Sequence, residues 1–125
     1  MPSPRPRYIR WFSELGIDDV PLVGGKNASL GEMFRELTAQ GVRVPNGFAI
    51  TAEAYRHVLD QADAWPRLHA ALDGLDARDV DDLARRALQA REIIQAARLP
   101  DDLIAEINDA HALLKAEYGE AMTLA

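Results

Sequence analysis

Hydrophobic residues recur at helical spacing along most of the chain, and short β-like runs occur only near the N-terminus. Tyr8 to Phe12 (YIRWF) is aromatic and β-branched, which is typical of a short strand. From about Lys26 the apolar positions follow the i, i+3, i+4, i+7 spacing of one helix face: Leu30, Met33, Phe34 and Leu37. Gly41 stands where a helix C-terminus commonly needs a left-handed residue.

A second strand and a second helix follow. The stretch 42–51 (VRVPNGFAIT) predicts an extended approach, a Pro-Asn-Gly turn and a strand from Phe48 to Ile50. Thr51 is a suitable N-cap for a helix from Ala52 to Asp60. The first sixty residues therefore alternate strand, helix, strand and helix, a small α/β arrangement.

The second half of the chain is helical in pattern from Trp65 onward, with Pro66 near a helix start. Two apolar stripes are expected, one made by Val80, Leu83, Ala84, Ala87, Leu88 and Ile94 and the other by Leu103, Ile104, Ile107, His111, Leu114 and Tyr118. Acidic residues open both helices, and we interpret them as caps favoured by the helix dipole: Asp79, Asp81, Asp82, Asp101 and Asp102. Gly119 should end the second helix, and residues 122–125 (MTLA) resemble the beginning of a strand.

These elements predict an α/β (α+β) fold that is rich in helix. Residues 1–7 form a basic, proline-containing tail that we expect to be flexible. Residues 8–125 form the ordered part, which divides into an α/β start over 8–60 and a helical subdomain over 61–125.

Composition narrows the function. The 125 residues carry a net charge of −6, which argues against non-specific nucleic-acid binding. The chain has no cysteine, so disulfides, thiolate zinc sites and cysteine nucleophiles are excluded, as is usual for a cytoplasmic protein. The basic N-terminus is not followed by an apolar segment, and no stretch is long enough to span a membrane.

The sequence PLVGGKNASLGEM (residues 21–33) carries the main candidate chemistry. Gly24 and Gly25 allow a ligand to approach the backbone closely, and the N-terminus of the following helix favours an anion. Lys26 adds a mobile positive charge. A tight structural turn with a solvated lysine explains the same residues, and on these features alone it is the stronger of the two interpretations.

Familiar nucleotide motifs do not fit this turn. A Walker-type loop requires a glycine where Val20 stands and a hydroxyl residue where Asn27 stands, and the Gly-x-Gly-x-x-Gly fingerprint is missing. His57 and His69 have no partner at metal-ligand spacing, and His111 falls on an apolar stripe, where a half-buried packing role is expected. The aromatic residues Trp11, Phe12, Phe34 and Phe48 are expected in the core. No catalytic residue is predicted in this chain.

Two long motifs occur in order, WFSELGIDDVPLVGGKNASLGEM (11–33) and GVRVPNGFAITAEAYRHVLD (41–60). Together they resemble the N-terminal part of the pyruvate phosphate dikinase and phosphoenolpyruvate-utilising enzyme family. The similarity is strong from Trp11 to Asp60 and looser to Ala125. The dikinases and rifampin phosphotransferases more often have Gly-Gly-Lys-Gly-Ala-Asn-Leu and Val-Pro-Pro-Gly-Phe, so Asn27 and Asn46 resemble the phosphoenolpyruvate synthase branch.

The resemblance implies an incomplete ATP-grasp nucleotide-binding domain, of which this chain is the N-terminal subdomain. It implies that Lys26 contacts ATP phosphates, with Gly24, Gly25 and Asn27 beside it. The family reaction converts ATP, pyruvate and water to AMP, phosphoenolpyruvate and phosphate with Mg²⁺. The resemblance thus reverses the preference for a purely structural turn.

The resemblance also implies that much of this machinery lies elsewhere. An arginine motif is expected just after residue 125, and the phosphorylated histidine, the Mg²⁺ ligands and the pyruvate-binding barrel are expected outside this chain. The leading hypothesis is a fragment without catalysis of its own, whose open edge favours self-association. The alternatives are a dikinase or phosphotransferase fragment, a stand-alone nucleotide-binding or regulatory module, and a helical adaptor.

Overall fold

The computed structural model describes residues 5–119, which form two compact units. Among the described residues, the first unit contains residues 5–55 and 101–119, and the second contains residues 56–100. The sequence predicts one helical subdomain over residues 61–125, whereas the contacts group the last helix with the first 55 residues. The predicted strand over residues 122–125 lies outside the described residues.

The first unit contains an antiparallel pair of strands. Strand β1 (Ile9–Trp11) pairs with β2 (Phe48–Ile50), so that Ile9 lies opposite Ile50 and Trp11 lies opposite Phe48. The rings of Trp11 and Phe48 meet edge to face with their centroids 5.4 Å apart, an arrangement that stabilises a cross-strand pair. Both predicted strands and the helix-rich α/β (α+β) fold class are confirmed.

Between the strands, two 3-10 turns (Phe12–Glu14 and Ile17–Asp19) lead into the short helix α1 (Val20–Val23) and the long helix α2 (Gly25–Ala39). Gly41 ends α2 as predicted, with φ 82°. The N–H of Val42 donates to the carbonyl of Leu37 at 3.0 Å, which together with the left-handed glycine forms a Schellman motif.

Helix α2 packs closely against the segment before it. A Cβ on Gly31 would lie 2.5 Å from the Cβ of Leu15, so only glycine allows this approach. One cluster of the unit's core contains the buried residues Leu15, Val23, Ala28 and Ala49. Met33, predicted on the apolar face, is 49% exposed, because the packed side of α2 is centred on Ala28 and Gly31.

Helix α6 (Asp101–Tyr118) belongs to the same unit and contacts β1. The carboxylate of Glu106 accepts a hydrogen bond from the N–H of Tyr8 at 3.0 Å. Gly119 ends the helix as predicted, with φ 84°. The expected packing role of His111 is wrong, because its side chain is exposed while the neighbouring position, Ala110, is buried.

The second unit is an all-helical arrangement. Helix α3 (Ala52–Gln61) begins in the first unit at its predicted cap, where Thr51 Oγ1 accepts the N–H of Ala54 at 3.3 Å. Helices α4 (Trp65–Leu72) and α5 (Val80–Ala96) follow, and α5 begins at the predicted cap Asp79, whose carboxylate accepts the N–H of Asp82. The core contains the buried residues Leu59, Ala64 and Leu68.

The predicted stripe on α5 is only partly correct. Val80 is 72% exposed and Leu88 is 50% exposed, whereas Ala90, Ile93 and Ile94 pack against the core of the unit. Asp82 and Arg86 form an ion pair at 2.9 Å, one turn apart on α5. No helix within residues 5–119 is both long enough and apolar enough to cross a membrane.

Candidate functional site

A single residue, Gly24, joins α1 to α2. Its backbone has φ 83° and ψ 165°, a combination that is open essentially only to glycine. The N–H of Gly24 donates to the carbonyl of Val20 at 2.8 Å, and its own carbonyl accepts the N–H of Ala28 at 3.0 Å. Gly24 therefore closes one helix and begins the next, which explains why the first glycine of the motif is required by the fold.

The first turn of α2 presents backbone N–H donors that have no acceptor within the helix. The N–H groups of Gly25, Lys26 and Asn27 precede the first hydrogen bond of the helix and have no acceptor within it. The cap residue Gly24 has no side chain that could satisfy them. These donors and the positive end of the helix dipole form a site that favours an anion.

Lys26 is exposed at the start of α2. No carboxylate within residues 5–119 forms an ion pair with it. Its ammonium group is therefore available to a ligand that also contacts the first turn of the helix. The four candidate residues, Gly24, Gly25, Lys26 and Asn27, lie at one helix junction, between the end of α1 and the first turn of α2.

Asn27 has a defined contact of its own. Its side-chain amide is half-buried and donates a hydrogen bond from Nδ2 to the carbonyl of Val23, the last residue of α1, at 3.1 Å. This bond spans the glycine turn from the α2 side to the α1 side. The sequence alone did not reveal it, since the contact depends on the path of the backbone through Gly24.

Two carboxylates hold the segment that precedes α1. Asp19 accepts the N–H of Gly16 at 2.9 Å, and Glu32 on α2 accepts the N–H of Ile17 at 3.0 Å. Neither residue was expected from the sequence to have this role. The three-residue spacing from Gly16 to Asp19 is typical of a side-chain cap and could have indicated the first bond. The second joins residues fifteen positions apart and leaves no local signal.

The three histidines lie on three different helices. His57 lies on α3, His69 on α4 and His111 on α6. Over residues 5–119, no three His, Cys, Asp or Glu side chains form a group that could hold a metal ion.

The chain is similar to a described protein family and to several named proteins. Residues 20–125 match the family model described as pyruvate phosphate dikinase, AMP/ATP-binding domain, and the matched region begins at the first residue of α1. Three similar proteins are each named phosphoenolpyruvate synthase. The one from Helicobacter pylori is 47% identical over 90% of this chain, that from Pseudomonas aeruginosa is 50% identical over 86%, and that from Escherichia coli is 44% identical over 87%.

The matched region is a small part of each relative. This chain spans 14% of the length of each of the three proteins. The glycine turn lies within the matched region, so the similarity bears on the site described above.

Proposed function

The chain belongs to the family of pyruvate phosphate dikinase AMP/ATP-binding domains, and from this premise we propose that its Gly24–Gly25–Lys26 turn binds the phosphates of ATP. In this proposal the backbone N–H groups of Gly25, Lys26 and Asn27 donate to phosphate oxygens. The ammonium group of Lys26 supplies the positive charge.

The observation that carries the proposal is Gly25. A structural turn needs only Gly24, whose φ and ψ exclude other residues. Gly25 has a helical backbone, and a Cβ added there would meet no heavy atom within 4 Å. Glycine is unfavourable in a helix by up to about 1 kcal/mol relative to alanine. A phosphate that approaches the backbone explains why this position lacks a side chain.

The charges at the turn set the expected affinity. A partly buried helix terminus contributes at most about 2 kcal/mol to anion binding, and one charge-assisted hydrogen bond contributes roughly 1.5–3 kcal/mol. The sum is at most about 5 kcal/mol before the entropy of association is deducted, which corresponds to a millimolar dissociation constant or a weaker one. We therefore expect weak binding of ATP and no phosphoryl transfer by this chain alone.

For the longer protein, we propose the phosphoenolpyruvate synthase reaction, in which ATP, pyruvate and water give AMP, phosphoenolpyruvate and phosphate. The names of the three relatives support the synthase over a dikinase or a rifampin phosphotransferase. This chain would supply one edge of the phosphate site. Electrostatic positioning of phosphates is the main task of a protein in such transfers.

Residues 5–119 contain no group of three or more His, Cys, Asp or Glu side chains that could hold a metal ion. We propose that the Mg²⁺ ligands and the pyruvate site of this reaction come from sequence outside this chain. We also propose a cytoplasmic location and self-association through exposed apolar side chains such as Ile50, which is 47% exposed on β2. Sedimentation velocity over a range of protein concentrations tests the self-association.

Titration of the chain with ATP, followed by calorimetry or NMR, tests the proposed site. Lys26→Ala should weaken binding by about 10- to 100-fold, the range expected for loss of one charge-assisted contact. The matched control is Arg43→Ala, because Arg43 is an exposed cation beyond the opposite end of α2. It removes the same charge and should leave ATP binding unchanged.

Two results would contradict the proposal. If both variants weaken binding equally, the effect arises from net charge and not from the turn. Micromolar binding by the unmodified chain, or label transferred from ATP to one of its histidines, would show a complete site and favour a stand-alone module.

A further inference from the structure

We propose that the side chain of Asn27 is a positioning residue, which fixes the glycine turn so that the N–H groups of Gly25 and Lys26 face the phosphates. The inference deepens the proposed function and rests on it. In this inference the side chain of Asn27 binds a backbone carbonyl of the protein and does not bind the ligand. The backbone N–H of Asn27 remains one of the donors to the ligand.

The hydrogen bond from Asn27 to Val23 links the two sides of the glycine turn. Asn27 is the third residue of α2, and its Nδ2 lies 3.1 Å from the carbonyl oxygen of Val23, at the end of α1. Between them lie Gly24 and Gly25, the two residues with the greatest backbone freedom in the turn. A bond across both glycines reduces the range of φ and ψ that they sample when no ligand is bound. The N–H groups are then already oriented when a phosphate arrives, which lowers the entropic cost of binding.

The contact also changes the electrostatics of the turn. The carbonyl of Val23 carries partial negative charge and lies directly before the two glycines. Without a donor it would disfavour an anion beside α2, and the Asn27 amide supplies that donor. Aspartate is common in the first turn of helices because it favours the dipole, but a carboxylate cannot donate to a carbonyl and would repel a phosphate. Asparagine can donate to the carbonyl and, being uncharged, does not repel a phosphate.

Amide hydrogen exchange of the ligand-free chain directly tests whether the Asn27 hydrogen bond stabilises the turn. The reporter is the N–H of Gly24, which donates to the carbonyl of Val20 inside the turn. Asn27→Ala should raise its exchange rate by about two- to tenfold, the effect of losing one hydrogen bond. Asn27→Gln retains an amide and should recover part of the protection. The N–H of Val42 at the other end of α2 serves as the internal reference and should not change.

Lys26→Ala is the control that separates positioning from contact with the ligand. We expect it to weaken ATP binding and to leave the exchange of Gly24 unchanged, whereas Asn27→Ala should change both. If Asn27→Ala weakens ATP binding while Gly24 exchanges as in the unmodified chain, Asn27 is a direct ligand and the inference is wrong. Unchanged exchange together with unchanged binding would also overturn it.

Different results would contradict the proposed ATP-phosphate site and the role of Asn27. If the unmodified chain does not shift any amide of the turn when ATP is added, the proposed function is contradicted. The exchange measurement contains no nucleotide, so it decides the Asn27 contact whatever the outcome with ATP.

Discussion

Of the two neighbouring glycines of the turn, only Gly24 should lower the stability of the fold when it is replaced by alanine. In Gly24→Ala, the backbone of the new alanine must adopt φ 83° and ψ 165°, a combination that is essentially restricted to glycine. In Gly25→Ala, the backbone is helical and the added Cβ meets nothing within 4 Å. Comparing the two variants therefore shows which glycine is needed for the fold and which is needed for ligand binding.

The magnitudes follow from the backbone geometry. Strain at Gly24→Ala should lower the free energy of unfolding by about 1–3 kcal/mol. Gly25→Ala should leave it unchanged or raise it by up to about 1 kcal/mol, because alanine has the higher helix propensity and restricts the unfolded chain. Both variants should weaken ATP binding, the first because the turn is distorted and the second because the methyl group occupies the space of a phosphate.

Urea unfolding followed by circular dichroism measures the stability, and NMR titration with ATP measures the binding. The key result is Gly25→Ala, which should be at least as stable as the unmodified chain and yet bind ATP more weakly. Unchanged ATP binding in this variant would refute the role assigned to Gly25. A loss of stability above about 1 kcal/mol would show that the fold itself requires this glycine.

Two further predictions concern the fold. Gly31→Ala should lower the free energy of unfolding by about 1–3 kcal/mol, because the new Cβ would lie 2.5 Å from that of Leu15, and Ser29→Ala on the exposed side of α2 is the control in the same urea assay. Burial alone raises the pKa of Asp82, but hydrogen bonds and charges from Arg86 and Arg85 outweigh it and hold this pKa below its usual range. The ion pair therefore stabilises the fold above the unfolded pKa of about 4 and loses its effect as the pH falls through the lower folded pKa, so the stability difference between the unmodified chain and Asp82→Asn should shrink in urea titrations between pH 7 and about pH 3.

Features set by local chemistry could be predicted from the sequence. Gly41 and Gly119 end their helices with positive φ, and Thr51 and Asp79 cap theirs, because each of these signals depends on residues within one turn. Strand β1 was recognised from its aromatic and β-branched composition. The glycine-lysine turn was located for the same reason, since its residues are contiguous.

Features set by distant contacts could not be predicted. The bond from Tyr8 to Glu106 joins residues 98 positions apart, and it belongs to the packing that groups α6 with the first strands. Apolar residues occur on several sides of α5, so periodicity did not show that Ile93 would pack inward while Val80 would be exposed. The Asn27 contact joins residues only four positions apart, but it was not predicted either, because it depends on the backbone angles that Gly24 adopts.

The most direct test of the ATP-phosphate site is a map of the amides that respond to the ligand. The ¹⁵N-labelled chain would be titrated separately with ATP, inorganic triphosphate and adenosine. We predict that ATP and triphosphate shift the N–H signals of Gly25, Lys26 and Asn27 most strongly, with saturation in the millimolar range or above, and that adenosine leaves them unchanged. Shifts centred on other residues, or a response to adenosine without one to triphosphate, would contradict the assignment of this turn to the phosphates of ATP.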